Sequence, residues 1–395
     1  MKKLSIIGGG PAALMLAAEI DTKKYSVTIY EKKKAVGRKF LVAGEGGLNL
    51  TYNSSKSELI AQYSPSEFIA PILKTFSNED LIQWLENHDI PTFIGSSNRV
   101  FPNLDLKPIE VLNKIVEHIT KNGVKIQFNK TWTGWNEEGH LCFEDSEIIE
   151  TDITVFALGG ASWKVTGSDG EWSELFKTRD VNVIPFRAAN CAFEVEWSKN
   201  FITTHEGKPL KNIALSFADQ VAKGELVISK FGLEGNAIYA LSEKIQAKLM
   251  SGQTPTIYLD LKPTMSIAQV SEKIKNSPLM KMTDILKSEL NLDRTAIAIL
   301  KQFSAKETYS TADLLAKIIK HVPIDIQSAD DMDKAISTLG GIDLAEVDEN
   351  LQLKKVPQVY VIGEMLDWYA PTGGYLLQGC FSMGYGLARN LNELK

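Results

Sequence analysis

The chain has 395 residues, of which 44% are hydrophobic and 23% charged, and its net charge is −6. That length sustains two or three packed domains, and the composition excludes a disordered polymer. The acidic balance removes the electrostatic case for nucleic acid or an anionic membrane as partner.

No uncharged apolar run reaches the roughly 18 residues of a membrane-spanning helix. Cys142, Cys191 and Cys380 form neither a CxxC pair nor an even framework, which argues against a disulfide scaffold, a dithiol redox motif and a cysteine-rich zinc site. The five histidines show no HxxxH spacing, so no metal site is expected. Met1-Lys2-Lys3 followed by uncharged Leu4–Ala18 has the outline of a secretory leader. However, Gly8-Gly9-Gly10-Pro11 would break such a helix in its middle. A reducing, cytoplasmic location is the expectation.

Leu4-Ser5-Ile6-Ile7 reads as a buried strand that runs into Gly8-x-Gly10-x-x-Ala13. Leu14, Met15, Ala17 and Ile20 follow at helical spacing. This matches the dinucleotide fingerprint between a strand and a helix. Gly8 permits the tight turn, Gly10 lets a pyrophosphate approach the backbone, and Ala13 lets the helix pack on the sheet. The amides at the helix start favour an anion. Tyr25–Tyr30 reads as the next strand and ends in Glu31, an acid placed to accept hydrogen bonds from a ribose hydroxyl pair.

A long Gly-rich segment then runs through Gly37-Arg38-Lys39 and Gly44-Glu45-Gly46-Gly47-Leu48-Asn49-Leu50-Thr51, suited to backbone lying close to a large cofactor. Arg38 and Lys39 are placed to reach phosphates, whereas the run Lys32 to Lys34 reads as a solvated loop. Leu81–Glu86 and Pro108–Lys121 show helical periodicity, and Thr154–Phe156 is a buried strand leading into Gly159-Gly160.

From about residue 188 short alternating strands appear: 192–197, 211–217, 225–229 and 256–260. A helix is expected over 236–250, and others over 266–275, 279–290, 293–303 and 311–321. Strand character returns over 322–328 and 338–342, and a hairpin is expected over 345–353. Gln358–Ile362 is a strand ending in Gly363-Glu364, followed by Asp367, Pro371-Thr372-Gly373-Gly374-Tyr375 and an apolar helical segment from Leu376 to Leu391. A strand, a Gly-acid pair, a Gly-rich loop and a helix are what a flavin enzyme of the glutathione-reductase class needs at its far end. An acid near Glu364 suits a ribityl hydroxyl, and the helix start suits the N1–C2 edge of the ring.

Taken in order, the glycine turn, Gly37-Arg38-Lys39, Gly46-Gly47-Leu48-Asn49, Arg99-Val100-Phe101-Pro102, Ala157-Leu158-Gly159-Gly160-Ala161-Ser162-Trp163, Gly340-Gly341-Ile342, Gly363-Glu364-x-x-Asp367 and Thr372-Gly373-Gly374-Tyr375-x-x-Gln378 resemble the bacterial BaiN/YhiN-like FAD-binding flavoproteins over nearly the whole chain. These are also called NAD(P)/FAD-dependent, aminoacetone-oxidase-like oxidoreductases. Gly47-Leu48-Asn49 stands where many relatives have Arg-Cys-Asn, and Gly379-Cys380 where they have Trp-Ala.

The resemblance implies an α/β fold, a Rossmann-type FAD domain of the glutathione-reductase class interrupted by a β-barrel-like domain with a helical insert. The boundaries expected are 1–187 with 338–395 for the FAD domain, 188–262 with 322–337 for the β domain, and 263–321 for the insert. The cofactor-binding set is then Gly8, Gly10, Pro11, Ala12, Ala13, Glu31, Lys32, Arg38, Lys39, Gly44, Gly47, Asn49, Leu50, Trp132 (toward the adenine), Ala157, Gly159, Gly160, Gly363, Glu364, Asp367, Thr372, Gly373, Gly374, Tyr375 and Gln378.

Tyr369, Tyr375 and Cys380 are the candidates for chemistry, with Glu45 and Arg99 from other segments. Among them Cys380 suits a small buried filler and Tyr375 a pocket wall. The expected reaction is hydride transfer between flavin N5 and an enone- or imine-type bond of a small or medium organic substrate. With one dinucleotide fingerprint, electrons come from substrate, come from NAD(P)H bound transiently, or leave to oxygen. Neither nucleic acid nor membrane is an expected partner, and the chain is a monomer or a homodimer. Two other readings stay open here: a flavin-dependent RNA-modifying enzyme, and a flavin-binding sensor or structural protein without turnover.

Overall fold

The computed structural model describes residues 1–44 and 47–394. The chain forms two compact units, Met1–Arg187 with Ile336–Lys395, and Ala188–Ala335.

The first unit is built on five parallel strands: β1 (Lys2–Ile7), β2 (Tyr25–Glu31), β3 (Lys125–Phe128), β4 (Ile153–Phe156) and β5 (Val359–Val361), in the order β5-β4-β1-β2-β3. A parallel sheet is covered on both faces, which is why Ile153-Thr154-Val155-Phe156 is buried at every position rather than alternating. Helix α1 (Pro11–Glu19) follows β1, with Pro11 at its first turn and Ala12 through Ala18 buried. After β2 come α2 (Arg38–Ala43) and α3 (Pro108–Lys121), and α4 (Tyr375–Glu393) ends the unit.

The small residues of α4 have a packing reason. A side chain at Gly384 would stand 2.3 Å from the Ala12 carbonyl oxygen and 2.9 Å from the Leu16 nitrogen, so α4 lies on α1 backbone to backbone. Two small antiparallel sheets complete the unit. One is Trp132–Trp135, Leu141–Phe143 and Ile148–Ile149; the other is Thr51–Tyr52, Arg99–Pro102 and Thr92–Ile94, with Arg99–Pro102 in the middle. Segments this short carry too few residues for an alternation to be read from sequence.

The second unit holds a six-stranded antiparallel sheet, in the order Phe193–Glu194, Gly232–Glu234, Gln220–Ile228, Pro209–Phe217, Thr256–Asp260, Val322–Asp325. Its first strand is tied to the chain just beyond its last. Glu194 N–H donates to the Ser328 carbonyl at 2.8 Å, Gln327 N–H to the Glu194 carbonyl at 3.0 Å, and Asp330 N–H to the Ala192 carbonyl at 2.9 Å. The sheet thus curls back on itself in the barrel-like manner expected, with the chain beyond its last strand covering its first. Helices Ile267–Lys275, Met282–Ser288, Arg294–Phe303 and Ala312–Ile319 stand between the last two strands in sequence.

Two elements differ from the sequence reading. The helix over 236–250 is two pieces, Asn236–Tyr239 and Ser242–Met250, with Ala240 and Leu241 between them. The helix over 279–290 starts only at Met282, because Met280 is 97% exposed and finds no core to pack against. The expected hairpin over 345–353 is present in short form: the Val347–Leu353 bridge is flanked by Asp348 N–H donating to the Gln352 carbonyl at 3.0 Å and Lys354 N–H to the Glu346 carbonyl at 2.9 Å.

Candidate functional site

The tips of the parallel strands converge on the glycine turn. Gly8 has φ +100, and a Cβ there would lie 2.5 Å from the Ala157 carbonyl oxygen, so both conformation and space demand glycine. Its N–H donates to the Tyr30 carbonyl at 2.9 Å. Gly10 is different. It is extended (φ −83, ψ 179), and the nearest atom to a Cβ there is the Ala157 oxygen at 4.0 Å. Gly10 therefore keeps a space open rather than permitting a conformation. Behind it, the first-turn amides of α1 have no intrahelical acceptor.

That space is a cavity of about 430 Å³, within the ordinary range for cofactor sites. It gathers residues from the whole first unit. Gly8, Gly10, Pro11 and Ala12 come from the turn; Glu31 ends β2, and Lys32, Arg38 and Lys39 follow it; Trp132 comes from the small sheet that begins at Trp132–Trp135. Ala157 and Gly159 follow β4, and Gly363, Glu364 and Cys380 come from the C-terminal segment.

Glu31 is buried at the tip of β2. Its carboxylate accepts the Gly9 N–H and the Lys33 N–H, each at 2.8 Å. Burial nonetheless outweighs these amides and raises its pKa above the usual carboxylate value. Lys32 is ion-paired with Asp169. Arg38 donates from one terminal nitrogen to the Val165 carbonyl at 3.3 Å, while its Nε is buried without a partner. The Trp132 indole N–H, in the same cavity, is likewise buried and unpartnered. Buried donors left unmade are costly. Two of them on the wall of a cavity that also holds the glycine turn and Glu31 fit an elongated ligand with a phosphate near Arg38 and an acceptor-rich ring near Trp132. These residues fit FAD.

At the other end, Lys39 Nζ donates to both Glu364 oxygens, at 2.9 and 3.3 Å, and to Ser162 Oγ at 2.7 Å. Glu364 also accepts the Thr338 N–H at 3.1 Å. Lys39 is thus held by an acid rather than aimed at phosphates. Burial pushes the Cys380 thiol up to about 12, as for the Cys191 thiol in the second unit. In the folded protein Ellman's reagent at pH 8 is expected to modify only half-buried Cys142 within minutes. Cys191 and Cys380 should react after denaturation, and a fast reaction at either would contradict this environment.

The rest of the sequence-derived set lies outside this cavity. Ala13 and Leu50 are core residues, and a Cβ on Gly44 would meet the Pro108 ring at 2.6 Å. A Cβ on Gly160 would stand 2.0 Å from Thr338 Oγ1, so packing alone requires glycine there. Asp367 accepts the Gly340 N–H at 2.9 Å. Gln378 is fully buried; it accepts from Thr51 Oγ1 at 2.6 Å and donates to Ser382 Oγ at 2.9 Å and the Phe76 carbonyl at 3.3 Å.

Gly374, at φ +92, turns the chain over the Thr51 backbone into α4, preceded by Thr372 and by Gly373 at φ +117. Tyr375 stacks on Tyr52 with centroids 5.1 Å apart, its carbonyl accepts the Tyr63 hydroxyl at 2.7 Å, and burial raises its own hydroxyl pKa. Tyr369 pairs through its backbone with Ser64. Gly47 has φ +106, and Asn49 Oδ1 is buried without a partner. Glu45 lies outside the described residues.

Two supporting residues escaped the sequence reading. Trp172 Nε1 donates to the Gly159 carbonyl and Ser168 Oγ to the Gly160 carbonyl, each at 3.0 Å. The signal was indirect: a buried Gly-Gly turn must find donors for its carbonyls.

A parallel sheet with a glycine turn at the end of β1, an acid at the end of β2 and a C-terminal segment returning to the same cavity defines a Rossmann-type dinucleotide-binding protein. The chain belongs to the HI0933-like family, the FAD-dependent oxidoreductases that its motifs resemble, and the model of the HI0933-like protein Rossmann domain matches residues 2–390. It is 25% identical to a 3-dehydro-bile acid delta(4,6)-reductase of Clostridium scindens, covering 100% of both chains. It is 22% identical to a ribosomal RNA dihydrouridine synthase of Haemophilus influenzae, covering 98% of both.

Among solved structures it resembles a 3-ketosteroid-delta4-(5alpha)-dehydrogenase of Rhodococcus jostii at a TM-score of 0.50 and 13% identity, covering 98% of this chain and 96% of that one. This likeness shows the fold. Among the described residues, no helix is long and apolar enough to cross a membrane.

Proposed function

We propose that the protein is an FAD-dependent reductase that saturates a carbon–carbon double bond conjugated to a carbonyl. The observation that carries the cofactor half is the single cavity joining the glycine turn, Glu31, the two unpartnered donors of Arg38 and Trp132, and Glu364. The substrate half is supported by the relatives. Their names describe removal of unsaturation from a 3-oxo bile-acid skeleton and from the uracil ring of RNA, and in both the double bond is conjugated to a carbonyl.

When bound, FAD supplies the hydride exchange. The protein's part is to hold and to exclude. First-turn amides of α1 and Arg38 take the pyrophosphate, Glu31 the adenosine ribose, and Trp132 the adenine edge. Lys39 and Glu364 meet across the cavity and present one polar pair to the ribityl end. Gly363 and Cys380 add an apolar wall at that end.

Electron donation by transiently bound NAD(P)H is part of this reading. Anaerobic stopped-flow mixing of the yellow protein with NADH or NADPH should bleach the flavin, and a conjugated enone should then restore its colour. Bleaching that only oxygen reverses would replace the reductase by an oxidase. A second reading, reduction of uridine within RNA, draws on the names of dihydrouridine synthase relatives of Haemophilus influenzae and Escherichia coli. The net charge of −6 offers a polyanion no general attraction. Dihydrouridine counted by mass spectrometry in ribosomal RNA, with and without the protein, separates the two.

A further inference from the structure

The small sheet around Arg99–Pro102 has two unlike faces. Directly opposed residues share a face, so Tyr52, Arg99, Phe101 and Phe93 stand on one side, and Thr51 and Val100 on the other. On the second side Thr51 and Val100 are fully buried, while Ile94, opposite Val100 on the edge strand, is 52% exposed. On the first side Phe93 is 36% exposed and Tyr52, Arg99 and Phe101 are half-buried.

Its rings are ordered. Tyr52 stacks on Tyr375, and Phe93 lies over Phe101 at 5.7 Å and 28°. Glycines border it: a Cβ on Gly373 would touch the Tyr375 ring at 3.3 Å and Arg99 Nε at 3.9 Å, and one on Gly47 would touch Phe101 at 3.4 Å. Among the described residues the Arg99 side chain has neither a hydrogen bond nor an acidic partner. Glu58, the acid felt at Tyr375, is itself bound to the Ser55 hydroxyl at 2.8 Å. Tyr375 opens α4, and Cys380, about a turn and a half further along it, lines the cofactor cavity, so the face and the cavity share one helix.

We infer that this face is the substrate seat and that the substrate carries a carboxylate. The inference rests on the reading of the protein as a reductase of conjugated alkenes. The rings and glycine edges suit a flat, unsaturated body, and the Arg99 guanidinium suits a carboxylate, which its planar fork binds in a bidentate manner. One cation matches one negative charge. A nucleic-acid backbone would need several, and the three strands of the face carry no other basic residue.

The test is calorimetric titration of the flavin-loaded protein with trans-cinnamate and with its neutral amide, which requires no turnover. The wild type should bind the carboxylate roughly 10- to 100-fold more tightly than the amide. Arg99→Gln should abolish that preference without changing flavin content or thermal midpoint, and Arg99→Lys should keep part of it. Equal binding of the two probes by the wild type, no binding of either, or a preference that survives Arg99→Gln overturns the inference. So does Arg99-dependent binding of uridine 5′-monophosphate in place of cinnamate. Reoxidation of reduced flavin by a neutral enone without a carboxylate preference would sink this seat and leave the proposed reductase standing. The converse result would sink the reductase and keep the seat.

Discussion

Gly10→Val is expected to yield a folded protein that carries no flavin. Gly10 sits in the extended region that β-branched residues favour, and a Cβ there has no neighbour closer than 4.0 Å. The fold should therefore lose no more than about 0.5 kcal/mol, the ordinary range for a substitution that meets no packed neighbour. The valine methyls occupy the space in which a pyrophosphate reaches the first-turn amides of α1. Losing two such charge-assisted bonds, at about 1.5–3 kcal/mol each, weakens FAD by roughly 100-fold or more.

Gly8→Ala should behave in the opposite way. With φ +100 and backbone 2.5 Å from the new Cβ, it should cost the apoprotein about 2–4 kcal/mol. Urea denaturation of the apoproteins and the flavin absorbance of the purified proteins read both effects. Stoichiometric flavin in Gly10→Val would remove the glycine turn from the binding site.

The second large effect belongs to Lys39. Glu364 is 9% exposed and Lys39 23%, and the pair also engages Ser162 and Thr338. Lys39→Met leaves a nearly buried carboxylate with one backbone amide. The expected loss is about 2–3 kcal/mol, below the ~3–5 kcal/mol of a fully buried pair because Lys39 keeps some solvent. Adding Glu364→Gln to Lys39→Met should return most of that loss, since the neutral amide has no charge to strand. Urea midpoints of the four apoproteins give the coupling. Additive single effects would mean that solvent already screens the pair and that it does not join the two halves of the cavity. Flavin titration of the same four proteins reports how far the pair orders the ribityl end.

The local parts of this site could be read from the amino acids alone. Strand β1, the turn at Gly8–Gly10, helix α1 and Glu31 lie within 31 residues, and each follows from hydrophobic period or backbone freedom. Pro108–Lys121 was legible for the same reason: an apolar stripe and a proline start need no knowledge of the rest of the chain. The likeness to a flavoprotein family rested on the spacing of such local pieces.

What tertiary structure alone decided is which side chains meet. Lys39 and Glu364 are 325 residues apart, and nothing in either neighbourhood states that the lysine pairs with that acid rather than with a phosphate. Gln378 stands in a motif that suggests a ligand contact, yet its partners Thr51, Phe76 and Ser382 turn it inward. The Tyr52–Arg99–Phe101–Phe93 face exists only because three strands of two to four residues fall into one register. Hydrophobic periodicity fixes an element and its buried side, because burial is a sum over many residues and tolerates error. A hydrogen bond or an ion pair depends on distances of a few tenths of an ångström between distant segments, and only the packed chain sets those.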